Sequence, residues 1–141
     1  MIKGIKKKRM IQIMTIEIGT KGFAETVVEK EDTAQLVGSG DLLVYATPCM
    51  VALMEGAACE SIAPFLAEGE SSVGISMNVN HTSATPVGME VRAESEVTAV
   101  DGRKVSFRIA AFDEAGEIGN ATHERFIIKA DRFLEKTYDK L

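Results

Sequence analysis

One segment restricts this 141-residue chain more than any other. It reads TPCMVALMEGAACESIAPF from Thr47 to Phe65, with Thr47 as a good N-cap, Pro48 suited to the first helical position and a stop near Pro64. From Pro48 to Cys59 every residue except Glu55 is apolar or small. A helix without a polar face is a buried helix, so the rest of the chain must wrap it.

The wrapping material is sheet. Residues 20–29 (TKGFAETVVE) form an expected first strand, and residues 31–46 an expected loop with room for a short helical turn. Val73, Ile75, Met77 and Val79 alternate with Gly74, Ser76, Asn78 and Asn80. Met89, Val91, Ala93 and Val97 alternate with Glu90, Arg92, Glu94 and Glu96, a strand with one wet face. Asp101-Gly102 predicts a hairpin turn into Val105, Phe107, Ile109 and Ala111. A turn at Asp113–Gly116 leads to a last strand over 117–129, and residues 131–141 form a short polar tail. The order predicts an α+β fold: an antiparallel sheet of about five strands round one long helix.

Charge narrows the functions available. The formal net charge is −5, but residues 1–10 hold five bases and no acid, which leaves 11 bases against 21 acids in residues 11–141. A body so acidic is a poor partner for nucleic acid. No stretch approaches the ~20 apolar residues of a membrane helix, and Met10–Ile16 is too short and interrupted for a signal peptide. We therefore expect a disordered basic leader over 1–14, a single domain over 15–141 and a cytoplasmic location. Cys49 and Cys59 are ten residues apart on the expected helix, about 15 Å at ~1.5 Å per residue, too far for a disulfide. They read as two buried thiols. Two His and two Cys match no zinc spacing, so no metal is expected, and the glycine-rich phosphate loops and the GxSxG elbow are missing.

Glu55 is the candidate for chemistry, because a buried carboxylate is costly unless paired. His81 continues the odd-numbered parity of Val73–Val79, so an imidazole is expected to face the helix that carries the acid. Such a pair suits general acid/base work. Thr47 adds a hydroxyl at the helix N-terminus, where the dipole favours developing negative charge. Gly74 either allows close approach or marks a bulge. His123 and Arg125 share a face of the last strand and read most simply as a solvated ladder, although Arg125 could serve an anionic ligand.

Three blocks, Thr47–Glu55, His81-Thr-Ser-Ala-Thr-Pro86 and Thr122-His-Glu-Arg125, resemble the fluoroacetyl-CoA thioesterase family of hotdog-fold enzymes. The likeness runs in order from about Phe23 to Phe133. It implies a hotdog fold, a sheet wrapped round a long helix and paired as a homodimer. It also implies a catalytic group of Thr47, Glu55 and His81, with the Gly74 amide near the thioester carbonyl. The family's specialised enzyme carries phenylalanines in a lid ahead of its catalytic threonine. Residues 30–46 here contain no Phe, and Tyr45 is the one aromatic available to touch substrate. The expectation is thus a short-chain acyl-CoA thioesterase with Thr47, Glu55 and His81 catalytic and Gly74, Tyr45 and Arg125 binding substrate. Coenzyme A enters only as part of the substrate, and no other cofactor is needed. A hotdog hydratase or dehydratase and a non-catalytic acyl-CoA-binding module are the alternatives.

Overall fold

The computed structural model describes residues 15–141; the expected basic leader lies outside the described residues. The strands are β1 (Lys21–Val27), β2 (Glu70–His81), β3 (Glu90–Asp101), β4 (Lys104–Asp113) and β5 (Gly116–Lys129). They form one antiparallel sheet in the order β1-β3-β4-β5-β2, so β1 and β2 are its edges. Before the long helix come a 3₁₀ turn at Lys30–Asp32 and the single-turn helix α1 (Ala34–Val37), closed by Gly38 at φ 85°. The long helix, α2, spans Thr47–Ile62. The polar tail is helical too, as α3 (Ala130–Tyr138).

The core lies between α2 and the inner face of the sheet. Met50, Met54, Ala57, Ala58 and Ile62 form one stripe of the helix at three- and four-residue spacing. They pack on Val91, Ala93, Val97, Val105, Phe107 and Ile109. Gly22 lets β1 lie directly on the helix, because a Cβ there would collide with the Ala57 carbonyl and Ser61. Ser95 Oγ on β3 donates to the same Ala57 carbonyl at 2.9 Å.

Three expectations change here. The helix is not wrapped all round: Pro48, Ala52 and Gly56 are exposed, and Cys49 and Cys59 are half-buried rather than buried. One sheet of this width covers only one side of a helix, so an apolar, small-residue stripe of α2 stays open. Thr47 is not the N-cap either. Ala46 occupies that position, and Thr47 is the first helical residue with its hydroxyl free for other use. Finally, the simple parity of β2 fails, because the pairing with β5 shifts between Gly74 and Ser76. This bulge turns Ile75 outward, half exposed. Ahead of it, Ser72 and Gly74 face the helix side with Arg125; beyond it, Met77 does so with His123. An extra residue in one strand re-aims everything on one side of it.

Candidate active site

Two polar clusters lie along α2. The first sits at its N-terminus, where Thr47 Oγ1 and His81 Nδ1 are 2.8 Å apart. A hydroxyl can give or take the proton in this bond. Burial pushes His81 below its ordinary pKa, so the ring is held neutral. Its Nε2 is buried and has no hydrogen-bond partner among the described residues. A pocket of about 320 Å³ opens on this pair, lined also by Ala34, Ser39, Val44 and Tyr45. Tyr45 presents its ring wall only, since the residue is buried in the core and its hydroxyl donates to the Cys49 carbonyl at 3.2 Å. Desolvation raises the Tyr45 pKa strongly.

The second cluster is built on the bulge. Arg125 Nη1 donates to Glu55 Oε2 at 3.0 Å, while its Nε and Nη2 bond the Oγ and carbonyl of Ser72 at 2.9 and 3.0 Å. His123 Nδ1 lies 2.7 Å from the Ser76 carbonyl, which can only accept, so Nδ1 carries the proton. The lone pair of Nε2 then accepts from Arg125 Nη1 at 3.3 Å and stands 4.0 Å from Glu55 Oε2. Burial, reinforced by the Arg125 charge, holds His123 below its ordinary pKa against the opposing pull of the Ser76 bond and Glu55. His123 also stacks on Phe107, with ring centroids 5.8 Å apart.

The carboxylate therefore has a different setting from the one expected. Glu55 is not buried alone in the apolar stripe; its side chain is 40% exposed and is held by Arg125. It emerges on the open side of α2, where the single sheet leaves solvent access. The two side chains read as a solvated ladder are among the most buried polar groups, His123 at 2% and Arg125 at 6% exposure. Their odd-numbered positions on β5 match buried Ala121, a parity that offered the missing signal. His81 meets Thr47, and no hydrogen bond or ion pair joins it to Glu55 among the described residues. Gly74 faces Glu55 directly, where an added Cβ would stand 2.5 Å from Oε2.

A profile of the fluoroacetyl-CoA-specific thioesterase family matches residues 28–131, the span that holds both clusters. This chain belongs to that family. It is 44% identical over 97 residues to the fluoroacetyl-CoA thioesterase of Streptantibioticus cattleyicolor, covering 69% of this chain and 70% of that protein. The crystal structure of the fluoroacetyl-CoA thioesterase FlK superposes with a TM-score of 0.85 at 35% identity, covering 90% of this chain and 98% of the other. A thioesterase superfamily member from Thermus thermophilus gives 0.79 at 32% identity, with 90% and 98% covered. The hot-dog-like protein of Thermanaerovibrio acidaminovorans shares the fold at TM-score 0.80 and 23% identity, with 89% and 93% covered. The family's fold is thus this one, a curled five-stranded sheet holding a central helix. No helix of the described residues is long and apolar enough to cross a membrane.

Proposed function

We propose that this protein hydrolyses a short-chain acyl-CoA to the free acid and CoA, and that the reaction needs two copies of the chain. Family membership supplies the reaction class. The observation that carries the rest is the separation of the two clusters. Thr47 and Glu55 are eight residues apart on one helix, about 12 Å at ~1.5 Å per residue, too far to act on one carbonyl carbon. Each cluster is half a site.

A twofold axis joins the halves. β2 is an edge strand with a neutral outer row of Ser76, Asn78 and Asn80, and it lacks the charges that normally block edge pairing. Antiparallel pairing of two such edges about Met77 and Asn78 sets His81 of one copy opposite Gly74 of the other, since both lie three to four residues from that centre. The exposed stripe of Pro48, Ala52 and Gly56 supplies a close helix contact in the same dimer. His81 with its unpartnered Nε2 and Thr47 then face the Glu55 of the second copy.

In this arrangement Glu55 is nucleophile or general base. As nucleophile, a carboxylate oxygen adds to the thioester carbonyl, the C–S bond breaks and the CoA thiolate leaves, taking its proton from a water by way of His81. The hydroxide left from that water opens the mixed anhydride, which returns the Glu55 carboxylate and releases the free acid. As base, Glu55 takes a proton from the attacking water. His81 moves the proton, Thr47 orients the group, and the Gly74 N–H with the α2 N-terminus meets the oxyanion. Arg125 and His123 position Glu55. These side chains suffice without a metal or redox cofactor. The small pocket lined by Ala34, Val44 and Tyr45 fits a short acyl group, and free thiols with an acyl-CoA substrate fit the cytoplasm.

A thiol-release assay across acyl-CoAs of increasing chain length tests the reading. Release of CoA thiol, falling as the chain lengthens, is the expected result. Water addition or loss without thiol release would favour a lyase, and binding without turnover a non-catalytic module.

A further inference from the structure

The connection from β2 to β3 joins the strand that carries His81 to the helix that carries Thr47. Its residues 82–89 belong to no strand. Thr82 and Ser83 N–H donate to the Ile118 carbonyl at 2.7 and 3.2 Å, and Tyr45 N–H donates to the Thr85 carbonyl at 2.9 Å. An isolated bridge between Val44 and Pro86 lies beside that last bond. Thr85 precedes Pro86, which confines it to extended backbone and fixes the direction of its carbonyl. It therefore stands four residues past His81 and is bonded two residues ahead of Thr47. Its side chain is fully buried, and the hydroxyl donates to Asp113 Oδ2 at 2.7 Å. The other carboxylate oxygen, Oδ1, accepts from the N–H groups of Ala115 and Gly116 at 2.8 and 3.2 Å, which ties Asp113 to the β4–β5 turn.

A buried carboxylate persists when donors fill it, and Asp113, 8% exposed, is filled by these three. So far the arrangement serves stability. The Thr85 bond does more, because Thr85 is the point at which the approach to α2 is bonded to the continuation of β2. Where Thr85 sits sets where Thr47 stands relative to His81, 2.8 Å away. Neither Thr85 nor Asp113 lines the pocket that opens on this pair, whereas Thr82, Ser83 and Ala84 do. We propose that Thr85 and Asp113 are positioning residues for the reaction: Asp113, through the Thr85 hydroxyl, holds Thr47 within hydrogen-bond reach of His81. The proposal rests on the thioesterase reading above for the reaction that is positioned. A misplacement of about 1 Å can cost roughly 10²-fold in rate even when the altered residue lies outside the chemistry.

Thr85→Val removes the hydroxyl at nearly constant volume, and Thr85→Ser keeps it. In thiol release from an acyl-CoA, kcat of Thr85→Val should fall about tenfold or more with KM within about twofold of wild type, and Thr85→Ser should recover kcat to within about threefold. The chain has two histidines, so nitrogen NMR of the imidazoles gives two ring patterns. In Thr85→Val the His81 Nδ1 resonance should move toward that of a ring exchanging between its tautomers. His123, bonded to the Ser76 carbonyl and Arg125, should keep its wild-type resonances. Wild-type kcat in Thr85→Val, a lost kcat with the His81 resonances unmoved, or equal losses in the Val and Ser variants would each overturn the proposal. Thr85→Ala leaves room for a water on Asp113 and takes the same two readouts if Thr85→Val does not fold; failure of both to fold would make the pair purely structural and overturn the proposal too. If the wild type releases no thiol, the thioesterase reading fails, and the NMR comparison alone decides whether Thr85 sets the Thr47–His81 contact.

Discussion

Arg125 Nη1 stands 3.0 Å from Glu55 Oε2 although the two residues are 70 positions apart in the chain. The guanidinium is spent on four acceptors at once: Glu55, His123 Nε2 and both oxygens of Ser72. A charged group buried this deeply persists only when fully bonded. The contact therefore fixes the carboxylate on the open side of the helix with one defined orientation.

The first prediction follows from that clamp. Glu55→Ala should retain its circular-dichroism spectrum and lose hydrolysis by about 10²–10⁴-fold, the usual contribution of a general acid or base. Arg125→Lys should lower kcat by roughly 10²-fold, since an ammonium cannot reach four acceptors in a fixed plane. It should also cost about 1–3 kcal/mol of stability by leaving buried acceptors unpaired. Steady-state kinetics and urea unfolding check both, and a fully active Glu55→Ala would remove Glu55 from the reaction.

Gly74 offers a test that leaves every polar group in place. In Gly74→Ala the new methyl would stand 2.5 Å from Glu55 Oε2, too close for either to stay put, and 3.2 Å from His123 Cε1. The carboxylate sits at the free end of a flexible side chain, so it moves before the backbone does. Melting temperature should change little while kcat falls about tenfold or more. Unchanged kcat would show that the position of Glu55 is not critical.

Complementation reads the shared site. Glu55→Ala and His81→Ala homodimers should each be inactive. Mixed and allowed to exchange, half of the dimers become heterodimers with one intact site of two, restoring up to about a quarter of wild-type activity. If each site came from a single chain, mixing would restore nothing. Sedimentation of an active monomer would remove the twofold arrangement altogether.

His81 and His123 both titrate below their ordinary value near 6.5 because burial disfavours their charged forms. As pH falls, the unfolded chain takes up these protons before the folded chain does. Stability is therefore complete above the ordinary histidine value and is lost as pH drops through it. The urea midpoint should be lower at about pH 5.5 than at about pH 7.5, and His123→Gln should flatten part of that slope. A midpoint that rises on acidification would contradict neutral, buried rings.

Much of this was legible in the chain itself. The segment after Thr47, apolar or small but for Glu55 as far as Cys59, identified the central helix, alternating residues with Asp-Gly punctuation identified the strands, and the three blocks at Thr47, His81 and Arg125 pointed to the family. Local pattern determines such features because secondary structure and burial answer to spacing along the chain. What only tertiary structure decided is how the polar residues group. The bulge at Gly74–Ser76 reverses a parity that looks unbroken in sequence, since one unpaired residue rotates half a strand without altering its composition. That turn aims Gly74 and Ser72 at the helix side and buries Arg125 against Glu55. It leaves His81 to Thr47, because the two are neighbours across the mouth of the fold and Glu55 lies two turns further along α2. Pairing across 70 residues depends on strand order and register, and neither is written in the identity of the residues that meet.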